Sequence, residues 1–414
     1  MSGFTNFEEM FAQSIGLKEP WQIVKAEFSQ QDRAVHIYVE ARRTAKYPCS
    51  ECGEVLPRYD NEQERVWQHG DVVFFPCYIH CRRPRVKCPK CEKTHVVTPP
   101  WGRERSRYTL LFEAYAMLLA EKLPLEQARK FLRISHTSLT NIVTYWVNKR
   151  VAADDLSNVF ALCIDDTSFL RGQSYVTVVI DAAQRRVIDV EEGRSAQQIW
   201  DFSLKLEQKG GDCTKVTQVA SDMSAAYLNG VRDCFPNGQV VIDRFHVSQL
   251  MREAMDEVRR TEQGAKASRN RRSGKKLLMI PQGRMNEQQQ EKLSELSKLY
   301  PKTGRAFRMV QALDEVYKCS NVAQAADMFE KLYTWLRRSR LEPMKRVALT
   351  LQQHKTAILA YYFHRLTNAV AEGFNSIIQA GKRKARGFGT FRGFSTMIYL
   401  ECAKLDFAPI KLFL

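Results

Sequence analysis

The sequence contains no long apolar segment. A run such as Ala114–Ala120 is typical of the longest, whereas a membrane-spanning helix needs about 18 apolar residues. The first ten residues include Glu8 and Glu9 but no lysine or arginine, so we expect no signal peptide there. On these grounds we expect a soluble, cytosolic protein without a membrane partner.

The sequence also lacks the features of a disulfide-linked or a disordered chain. It has 11 cysteines, an odd number, in 414 residues, and without an export signal this favours free thiols and metal sites. Apolar residues make up 44% of the chain and aromatic residues 10%, so hydrophobic cores can form and disorder is excluded. The length predicts about three domains of roughly 150 residues each.

Acidic residues are scarce relative to basic ones. Lys and Arg number 63 and Asp and Glu number 46, which gives a formal net charge of +17 at pH 7. Arg259–Arg284 contains nine basic residues and the single acid Glu262, and a second basic cluster lies in Gly381–Gly389. Because phosphate contacts release condensed counterions, this excess predicts a polyanionic partner, with a solvated face or a flexible loop as the alternative. The phosphate-contact candidates are Arg271, Arg272, Lys382, Arg383 and Lys384.

Two cysteine pairs have the spacing of metal-binding knuckles. Cys49 and Cys52 form one CxxC pair, Cys88 and Cys91 form another, and 35 residues separate the two pairs. Tetrahedral zinc needs four thiolate or imidazole ligands, and a CxxC turn supplies two of them, so we predict a structural zinc site. Buried free thiols are the alternative. Cys77 and Cys81 are expected to be core thiols, and His80 and His95 are weaker ligand candidates.

Residues 98–102 interrupt all periodicity and are interpreted as a linker. Beyond them the spacing of apolar residues predicts helices over Leu110–Glu121, Pro124–Leu132 and Ser135–Arg150. Three short helices with a brief turn are typical of a helix-turn-helix module, with a plain helical connector as the alternative. The predicted core of the module is Ala128, Leu132, Ile134, Leu139, Ile142, Val143 and Trp146.

In this interpretation the start of the third helix faces outward. Thr137, Ser138 and Asn141 would be exposed there, and polar side chains in that position can reach base edges in a major groove. The sequence departs from the usual pattern at Arg133, because such turns often need a positive φ and therefore glycine.

Residues 159–248 alternate strand-like and helix-like segments. Three consecutive strands are followed by helix, strand, helix and strand, which predicts a mixed sheet with helices packed on it. Residues 249–365 show helical periodicity with almost no strand signal. We therefore expect a multidomain α/β protein with an all-helical segment. Trp335 in that segment could stack on an extruded base, although a position in the core is the favoured alternative.

Three acids occupy positions suited to holding a metal ion. Asp165 follows the apolar strand Ala161–Ile164, Asp222 follows the apolar strand Val219–Ser221, and Glu372 lies on a later helix. Acids at the ends of neighbouring strands can share divalent cations, and three carboxylates suit a two-metal phosphoryl-transfer centre. Mg²⁺ fits because it prefers oxygen ligands. A turn residue or a solvated charge is the alternative for any such acid, and it is our interpretation of Asp166, Asp181 and Asp189.

Several motifs in a fixed order resemble those of one known family. They are Ile164-Asp165-Asp166, Tyr175–Asp181, Ser221-Asp222-Met223, Asp243-Arg-Phe-His246-Val and Asn368-x3-Glu372-Gly-Phe-Asn375, and they follow the zinc-ribbon and helix-turn-helix patterns. From about Trp21 to Phe394 this order resembles the ISL-three family of bacterial insertion-sequence transposases. The Asp-Arg-Phe-His-Val and Asn-x3-Glu-Gly-x-Asn segments are the most discriminating.

The resemblance implies an RNase-H-like DDE fold. Asp165, Asp222 and Glu372 would take the catalytic positions, with Asp243 and His246 as accessory residues. His246 would contact the scissile phosphate or orient Asp222, with a structural hydrogen bond as the alternative. The implied domains are a β-rich zinc ribbon over 1–100, a helix-turn-helix domain over 101–153, a mixed-sheet catalytic core over 154–248, an all-helical insertion over 249–365, and a return to the core with C-terminal helices over 366–414.

The resemblance also implies a function. A DDE transposase binds the double-stranded ends of an insertion sequence, cleaves DNA strands there and joins the freed 3′-OH ends to target DNA, using two Mg²⁺ (or Mn²⁺) ions, with Zn²⁺ as a structural metal. A catalytically inactive DNA-binding regulator and a stand-alone nuclease are the rivals. The intact Asp, Asp and Glu set favours the enzyme, and the two N-terminal DNA-binding modules disfavour the nuclease. Because two ends must be joined, we expect a homodimer or larger assembly at the bacterial nucleoid.

Overall fold

The computed structural model describes residues 11–13, 15–170, 174–264, 271–364 and 369–407. The described residues up to Arg150, together with residues 405–407, form one compact unit, and those from Val151 to Lys404 form a second. The architecture is mixed α/β, with a strand-rich N-terminal part and a helical C-terminal part, as predicted. None of the helices within these ranges has the length and the apolar content that crossing a membrane requires.

The first unit begins with a series of short strands. They are β1 (Trp21–Ser29), β2 (Ala34–Ala41), β3 (Lys46–Pro48), β4 (Val55–Pro57), β5 (Asp60–Asn61), β6 (Arg65–Val72), β7 (Phe75–Cys81), β8 (Pro84–Cys88) and β9 (Lys93–Val96). A four-stranded sheet has the order β1-β2-β7-β6, and smaller sheets pair β3 with β4 and join β5, β8 and β9. In β7 every second side chain is buried, as expected for a sheet with one face on a core.

Aromatic residues from distant segments form the centre of this core. The ring of Trp101 lies edge-on to those of Trp21 and Trp67, with centroids 5.0 and 6.0 Å away, and all three side chains are buried. The loss of periodicity suggested residues 98–102 as a linker, but Pro99, Trp101 and Gly102 are buried, whereas Thr98 and Pro100 are exposed.

Three helices follow, close to their predicted positions: α1 (Leu110–Lys122), α2 (Leu125–Leu132) and α3 (His136–Ala152). The Ser135 hydroxyl accepts a hydrogen bond from the Ser138 backbone N–H at 3.1 Å and so caps α3. Arg133 ends α2 in the left-handed region with φ 54°, so the turn does have the conformation that glycine usually supplies. All seven residues of the predicted core are buried.

The second unit contains a five-stranded sheet. Its strands are β10 (Ala161–Ser168), β11 (Tyr175–Asp181), β12 (Arg186–Glu192), β13 (Gln218–Ser221) and β14 (Gln239–Ile242), in the order β12-β11-β10-β13-β14. β11 runs antiparallel to both of its neighbours, whereas β10, β13 and β14 run parallel. Parallel neighbours need crossover connections, and the helices α4 (Ala196–Gln208) and α5 (Ala225–Cys234) lie in them.

The remaining helices run from the sheet to the C-terminal part. They are α6 (Arg244–Gln263), α7 (Arg271–Leu278), α8 (Glu287–Leu299), α9 (Pro301–Lys318), α10 (Val322–Arg337), α11 (Glu342–Gln353), α12 (Lys355–Leu359), α13 (Tyr361–His364), α14 (Ala369–Lys384) and α15 (Phe391–Cys402). Side chains of α14 and α15, including Ile378 and Phe394, pack with Cys163 and Val178 of the sheet. Residues of α4 and α5 pack with side chains on the other face of the sheet, including Ile164 and Val179. The sheet is therefore covered on both faces.

The basic segment Arg259–Arg284 differs from the flexible loop that its composition suggested. Within its described residues, α6 continues to Gln263 and α7 covers Arg271–Leu278. Arg259 is buried, and its guanidinium lies 2.8 Å from the Asp256 carboxylate. Part of the positive charge is therefore neutralised inside the helical segment. Trp335, expected in the core, is 37% exposed.

Candidate metal centre and active site

The two CxxC pairs converge on one point. Cys49 follows β3, Cys88 ends β8, and the ligand atoms of these residues and of Cys52 and Cys91 all lie within 4.8 Å of one another. The Sγ atoms of Cys52 and Cys88 are 3.5 Å apart, and those of Cys49 and Cys91 are 4.0 Å apart. Four sulfurs at these separations match the tetrahedral donor set of a structural zinc site.

The electrostatics of this cluster favour a thiolate. Backbone N–H groups of Cys52 and Glu51 point at the Cys49 sulfur and lower the pKa of its thiol to about 6. Thiolate is the form that binds zinc, so this knuckle is prepared for the ion by its own backbone. The pKa of Cys91 is raised, chiefly by its hydrogen bond with Cys52, because the sulfurs cannot all ionise at this distance without a cation between them.

The weaker ligand candidates stand apart from the cluster. His95 Nδ1 is 2.9 Å from the Ser50 hydroxyl, and His80 Nε2 is 2.9 Å from His36 Nδ1. Burial raises the pKa values of Cys77 and Cys81 to about 12, so both remain neutral thiols. Of the histidines and cysteines that the structure describes, the metal-binding group contains only the four knuckle residues.

Two of the three residues predicted to be exposed at the start of α3 are exposed. Thr137 and Asn141 are exposed and Ser138 is half-buried. Arg133, in the turn, places its guanidinium 3.4 Å from the Asp71 carboxylate and donates to the backbone carbonyl of Phe74 at 3.4 Å. This pair of contacts explains an arginine in a left-handed turn, because the side chain joins the turn to the β6–β7 hairpin.

A buried carboxylate of α1 joins α3 to the segment that precedes α1. Glu113 of α1 is fully buried, and its oxygens accept from Arg103 Nε at 2.8 Å, from the Ser106 hydroxyl at 2.5 Å and from Trp146 Nε1 at 2.7 Å. A buried charge needs both a counter-ion and hydrogen bonds, and this one has both. The sequence analysis missed the network because no local pattern links Glu113 to Trp146.

Asp165, Asp222 and Asp243 lie level with one another on three neighbouring parallel strands. Cys163 pairs with Ala220 of β13, and Ala220 pairs with Val241 of β14. Each of the three acids comes two residues after one of these paired residues, so the acids lie side by side. β10 itself continues to Ser168 against β11. Asp165 was predicted to follow the end of its strand. It does lie beyond the parallel pairing of β10 with β13, which ends at Cys163, but it remains within the pairing of β10 with β11.

The charges at this edge of the sheet repel one another. Burial raises the pKa of Asp165 to about 6, with further contributions from the charges of Asp166 and Asp222, while His246 opposes the shift. Burial and the charge of Asp222 likewise raise the pKa of Asp166. The buried Oδ2 atom of Asp243 has no hydrogen-bond partner among the described residues, although His246 Nε2 lies 3.8 Å from it. The site therefore contains more negative charge than its own donors neutralise.

Glu372 lies on the exposed side of this group. Its pKa is raised by burial and by the charge of Asp243, and lowered by His246, so its carboxyl faces the accessory pair. Asp165, Asp222 and Glu372 do not have ligand atoms all within 4.8 Å, because within the described ranges only the cysteines do. Asn368, which opens the Glu372 motif, lies outside the described residues.

Side chains of α14 attach the Glu372 helix to β10. Asn375 Nδ2 donates to Asp165 Oδ2 at 2.8 Å, Gln379 Nε2 donates to the Thr167 hydroxyl at 2.7 Å, and Lys382 Nζ donates to the Ser168 carbonyl at 2.8 Å. The spacing of four and three residues places the donors on one face of the helix. Sequence reasoning quoted Asn375 as part of a motif but gave it no role.

The proposed phosphate contacts fall into two groups. Arg383 and Lys384 are exposed at the end of α14, whereas Lys382 is half-buried and bonded to β10. Arg271 and Arg272 open α7, and their side chains lie outside the described residues. The roles of all five in DNA binding remain predictions.

Three family models match parts of the chain, and each of them describes a transposase or one of its domains. Residues 162–398 match the DDE model of the ISL3 family, described as a transposase. Residues 97–147 match the helix-turn-helix domain of transposase family ISL3, and residues 46–91 match the zinc-finger of transposase IS204/IS1001/IS1096/IS1165.

Full-length relatives agree with these matches. The chain is 24% identical over 412 residues to the transposase for insertion sequence element IS1557 of Mycobacterium tuberculosis, covering 92% of each protein. It is 24% identical over 385 residues to the transposase for insertion sequence element IS1001 of Bordetella parapertussis, covering 91% of this chain and 94% of that protein.

Proposed function

This chain belongs to the ISL3 family of transposases, and from that premise we propose that it binds the ends of its insertion sequence, cleaves DNA strands there and joins the 3′-OH ends to target DNA. One observation carries the proposal. Asp165, Asp222 and Asp243 are level at one edge of the sheet, and the helix of Glu372 is hydrogen-bonded to Asp165.

The sheet supports an RNase-H-like core. Three consecutive antiparallel strands are followed by two parallel strands that are reached through helices, and the helices α6 to α13 lie between the last strand and the Glu372 helix. This is the arrangement that the resemblance implied for a DDE domain with an all-helical insertion. The predicted domain limits of 154–248, 249–365 and 366–414 follow from the same interpretation.

The residues at the sheet edge fit divalent cations. Their donors are carboxylate oxygens, which hard ions such as Mg²⁺ and Mn²⁺ prefer, and the orphaned Oδ2 of Asp243 and the raised pKa of Asp165 indicate uncompensated negative charge. Asp165, Asp222 and Glu372 would hold two Mg²⁺ ions. Such ions supply Lewis-acid activation of the attacking oxygen and stabilise the leaving oxygen.

The other side chains of the site orient these acids and the DNA. Asn375 fixes the Oδ2 atom of Asp165 by its hydrogen bond, and a ligand held in this way keeps its orientation without the ion. His246, beside Asp243, is positioned to donate a hydrogen bond to the scissile phosphate. Cleavage by water and attack by a 3′-OH need no covalent intermediate with the protein.

The first unit would recognise double-stranded ends. Four cysteines hold structural Zn²⁺, as the zinc-finger match and the cluster geometry support, and Thr137, Ser138 and Asn141 would contact base edges. Joining two ends requires two copies, so we propose a homodimer or larger assembly. Because the substrate is chromosomal DNA, we place the protein at the nucleoid in the bacterial cytoplasm.

The test is strand cleavage on DNA that carries the inverted repeats flanking the gene. Asp165→Ala, Asp222→Ala and Glu372→Ala should each abolish Mg²⁺-dependent nicking and joining but leave end binding intact. Asp233→Asn, a change at an exposed carboxylate of α5, is the matched control and should nick like the unaltered protein. Nicking that persists in Asp165→Ala would remove the acid from the catalytic set.

A catalytically inactive DNA-binding regulator is the second candidate. The observation that favours it is the separation of Asp165, Asp222 and Glu372, whose ligand atoms do not all lie within 4.8 Å. A regulator would bind the same ends with the same salt dependence, but no concentration of Mg²⁺ or Mn²⁺ would produce nicked DNA.

A further inference from the structure

The hairpin between β6 and β7 ends in an exposed apolar tip. Val73 and Phe74 form its turn, and they are 76% and 87% exposed. Both have positive φ angles, 48° for Val73 and 72° for Phe74. Val72 pairs with Phe75, so the run Val72–Phe75 is strand at its two ends and turn in the middle.

Two features of this tip are unfavourable for the stability of the fold. A turn with two successive positive φ angles normally contains Asn-Gly, and a β-branched residue there is a genuine outlier. An L-residue in the left-handed region is disfavoured because its Cβ atom comes too close to the following carbonyl oxygen. Exposed apolar side chains at the tip add nothing to the core, so neither conformation nor burial explains Val73 and Phe74.

The tip is firmly attached to the helix-turn-helix turn. Arg133 donates to the Phe74 carbonyl at 3.4 Å and pairs with Asp71 at 3.4 Å. Gln68 of β6 donates to the Leu132 carbonyl at 3.5 Å. Below the tip, the ring of Phe75 stands edge-on to Phe28 with centroids 4.9 Å apart. The hairpin is therefore held against the residues that immediately precede α3.

We propose that the Val73–Phe74 tip is an apolar wedge that inserts between base pairs of duplex DNA, in the minor groove beside the major groove bound by the start of α3. The inference rests on the proposed function, because it assumes that α3 binds DNA. A major groove is about 12 Å wide, so a rigid element bonded to the turn before α3 must meet the same duplex.

The chemistry of the tip fits this occupant. Apolar side chains such as Phe inserted at a base step unstack it and kink the duplex, and this exposes more DNA surface to the protein. Arg133 is a cation beside the tip, because its guanidinium bonds the carbonyl of Phe74, and a phosphate next to the kinked step would complement it. A second protein surface would have to cover the same arginine without a phosphate.

The test pairs two substitutions with opposite expected effects. Val73→Asn combined with Phe74→Gly supplies the residues that the turn geometry prefers, so the melting temperature of the full chain should rise. Affinity for a duplex carrying the inverted repeat that flanks the gene should fall about tenfold. The salt dependence of binding should change little, because the two substitutions remove no basic side chain.

A spectroscopic measurement locates the wedge. In a set of duplexes with 2-aminopurine placed at successive steps, the unaltered protein should raise the fluorescence at one step beside the α3 site, because unstacking relieves quenching. The double variant should not raise it. Tyr59→Ala removes another aromatic residue of the same unit, 61% exposed, and should change neither affinity nor fluorescence.

The possible outcomes separate the wedge from the proposed function. If the unaltered chain does not bind the duplex at all, both the function and the wedge are overturned. If Asn141→Ala weakens binding but the double variant matches the unaltered protein in affinity and fluorescence, the wedge alone is overturned. The wedge is equally overturned if the double variant changes only the sedimentation of the free protein, because the tip would then contact a second copy.

Discussion

The two candidate metal centres of this chain differ in how completely they are assembled. At the knuckles, four sulfurs lie within 4.8 Å of one another. At the sheet edge, Asp165, Asp222 and Glu372 come from separate elements and do not converge to that extent. The difference reflects how each ligand is positioned. A CxxC turn fixes two sulfurs through its own short backbone, whereas each acid depends on the packing of a whole strand or helix.

The two candidate metal centres also differ in how their surroundings affect the charge of the ligands. The Cys49 thiol receives backbone N–H groups that lower its pKa, while burial and like charges raise the pKa of Asp165. The first site is prepared for its ion, whereas at the second the carboxylates repel one another in the absence of a cation. The zinc site should therefore govern folding, and the acidic site should govern activity.

Loss of zinc should produce the largest effect. Structural zinc sites contribute roughly 10–16 kcal/mol of binding free energy, so Cys49→Ser or Cys88→Ser should remove bound zinc and unfold the knuckle region. Zinc per chain, measured by atomic absorption, should fall from one to none. Cys77→Ala is the control for a buried thiol outside the cluster and should keep its zinc. An unchanged zinc content in Cys49→Ser would contradict the assignment.

Removing the buried carboxylate of the first unit should have the next largest effect. Glu113 has three donors, and deleting one partner of a buried pair costs about 3–5 kcal/mol. Glu113→Ala should lower the urea midpoint of the full chain accordingly. Glu126→Ala, at an exposed pair with Arg129, should cost less than about 1 kcal/mol. Equal costs would show that the buried network adds no stability.

Asn375→Ala should slow catalysis without unfolding the protein. Partners that orient metal ligands are typically worth about 10–100-fold in metal affinity or activity, so the Mg²⁺ concentration for half-maximal nicking should rise within that range. Ser376→Ala, one residue further on the same helix and exposed, should leave it unchanged. If both variants need the same Mg²⁺ concentration, Asn375 does not position Asp165.

Asp165→Asn should have the smallest effect on stability, and its sign should be opposite to that of Glu113→Ala. Amide replacement removes a buried charge that lies beside other acids, so the melting temperature without Mg²⁺ should rise by a few degrees. Added Mg²⁺ should then stabilise the unaltered protein more than the variant. Asp233→Asn supplies the baseline for an exposed acid, and a fall in the melting temperature of Asp165→Asn would contradict the repulsion.

The local parts of this structure could be predicted from the sequence. The helices of the helix-turn-helix module, the strands near Asp165 and Asp222, and the pairing of Cys49 and Cys52 depend on periodicity or on spacing within a few residues. The order of motifs then predicted the family, which the family matches confirm. The catalytic roles of Asp165, Asp222 and Glu372 remain predictions.

Contacts between residues that are far apart in the chain could not be predicted from the sequence. Arg133 in a left-handed turn makes sense only once Asp71 and the Phe74 carbonyl are beside it. Burial of Trp101 depends on Trp21 and Trp67, and a loss of periodicity gave no sign of it. Partners that are far apart in the chain leave no local signal in a single sequence.

The hydrogen bond between Asn375 and Asp165 joins residues 210 positions apart. A ribosome has therefore made most of the chain before Asp165 meets its partner, whereas residues 46–147, which contain the zinc knuckles and the helix-turn-helix, have already been translated. A stop codon anywhere in the intervening stretch would release polypeptides that retain the zinc knuckles and the helix-turn-helix but lack Glu372. Truncated copies of the gene would then yield competitors for the same DNA ends rather than weakened enzymes.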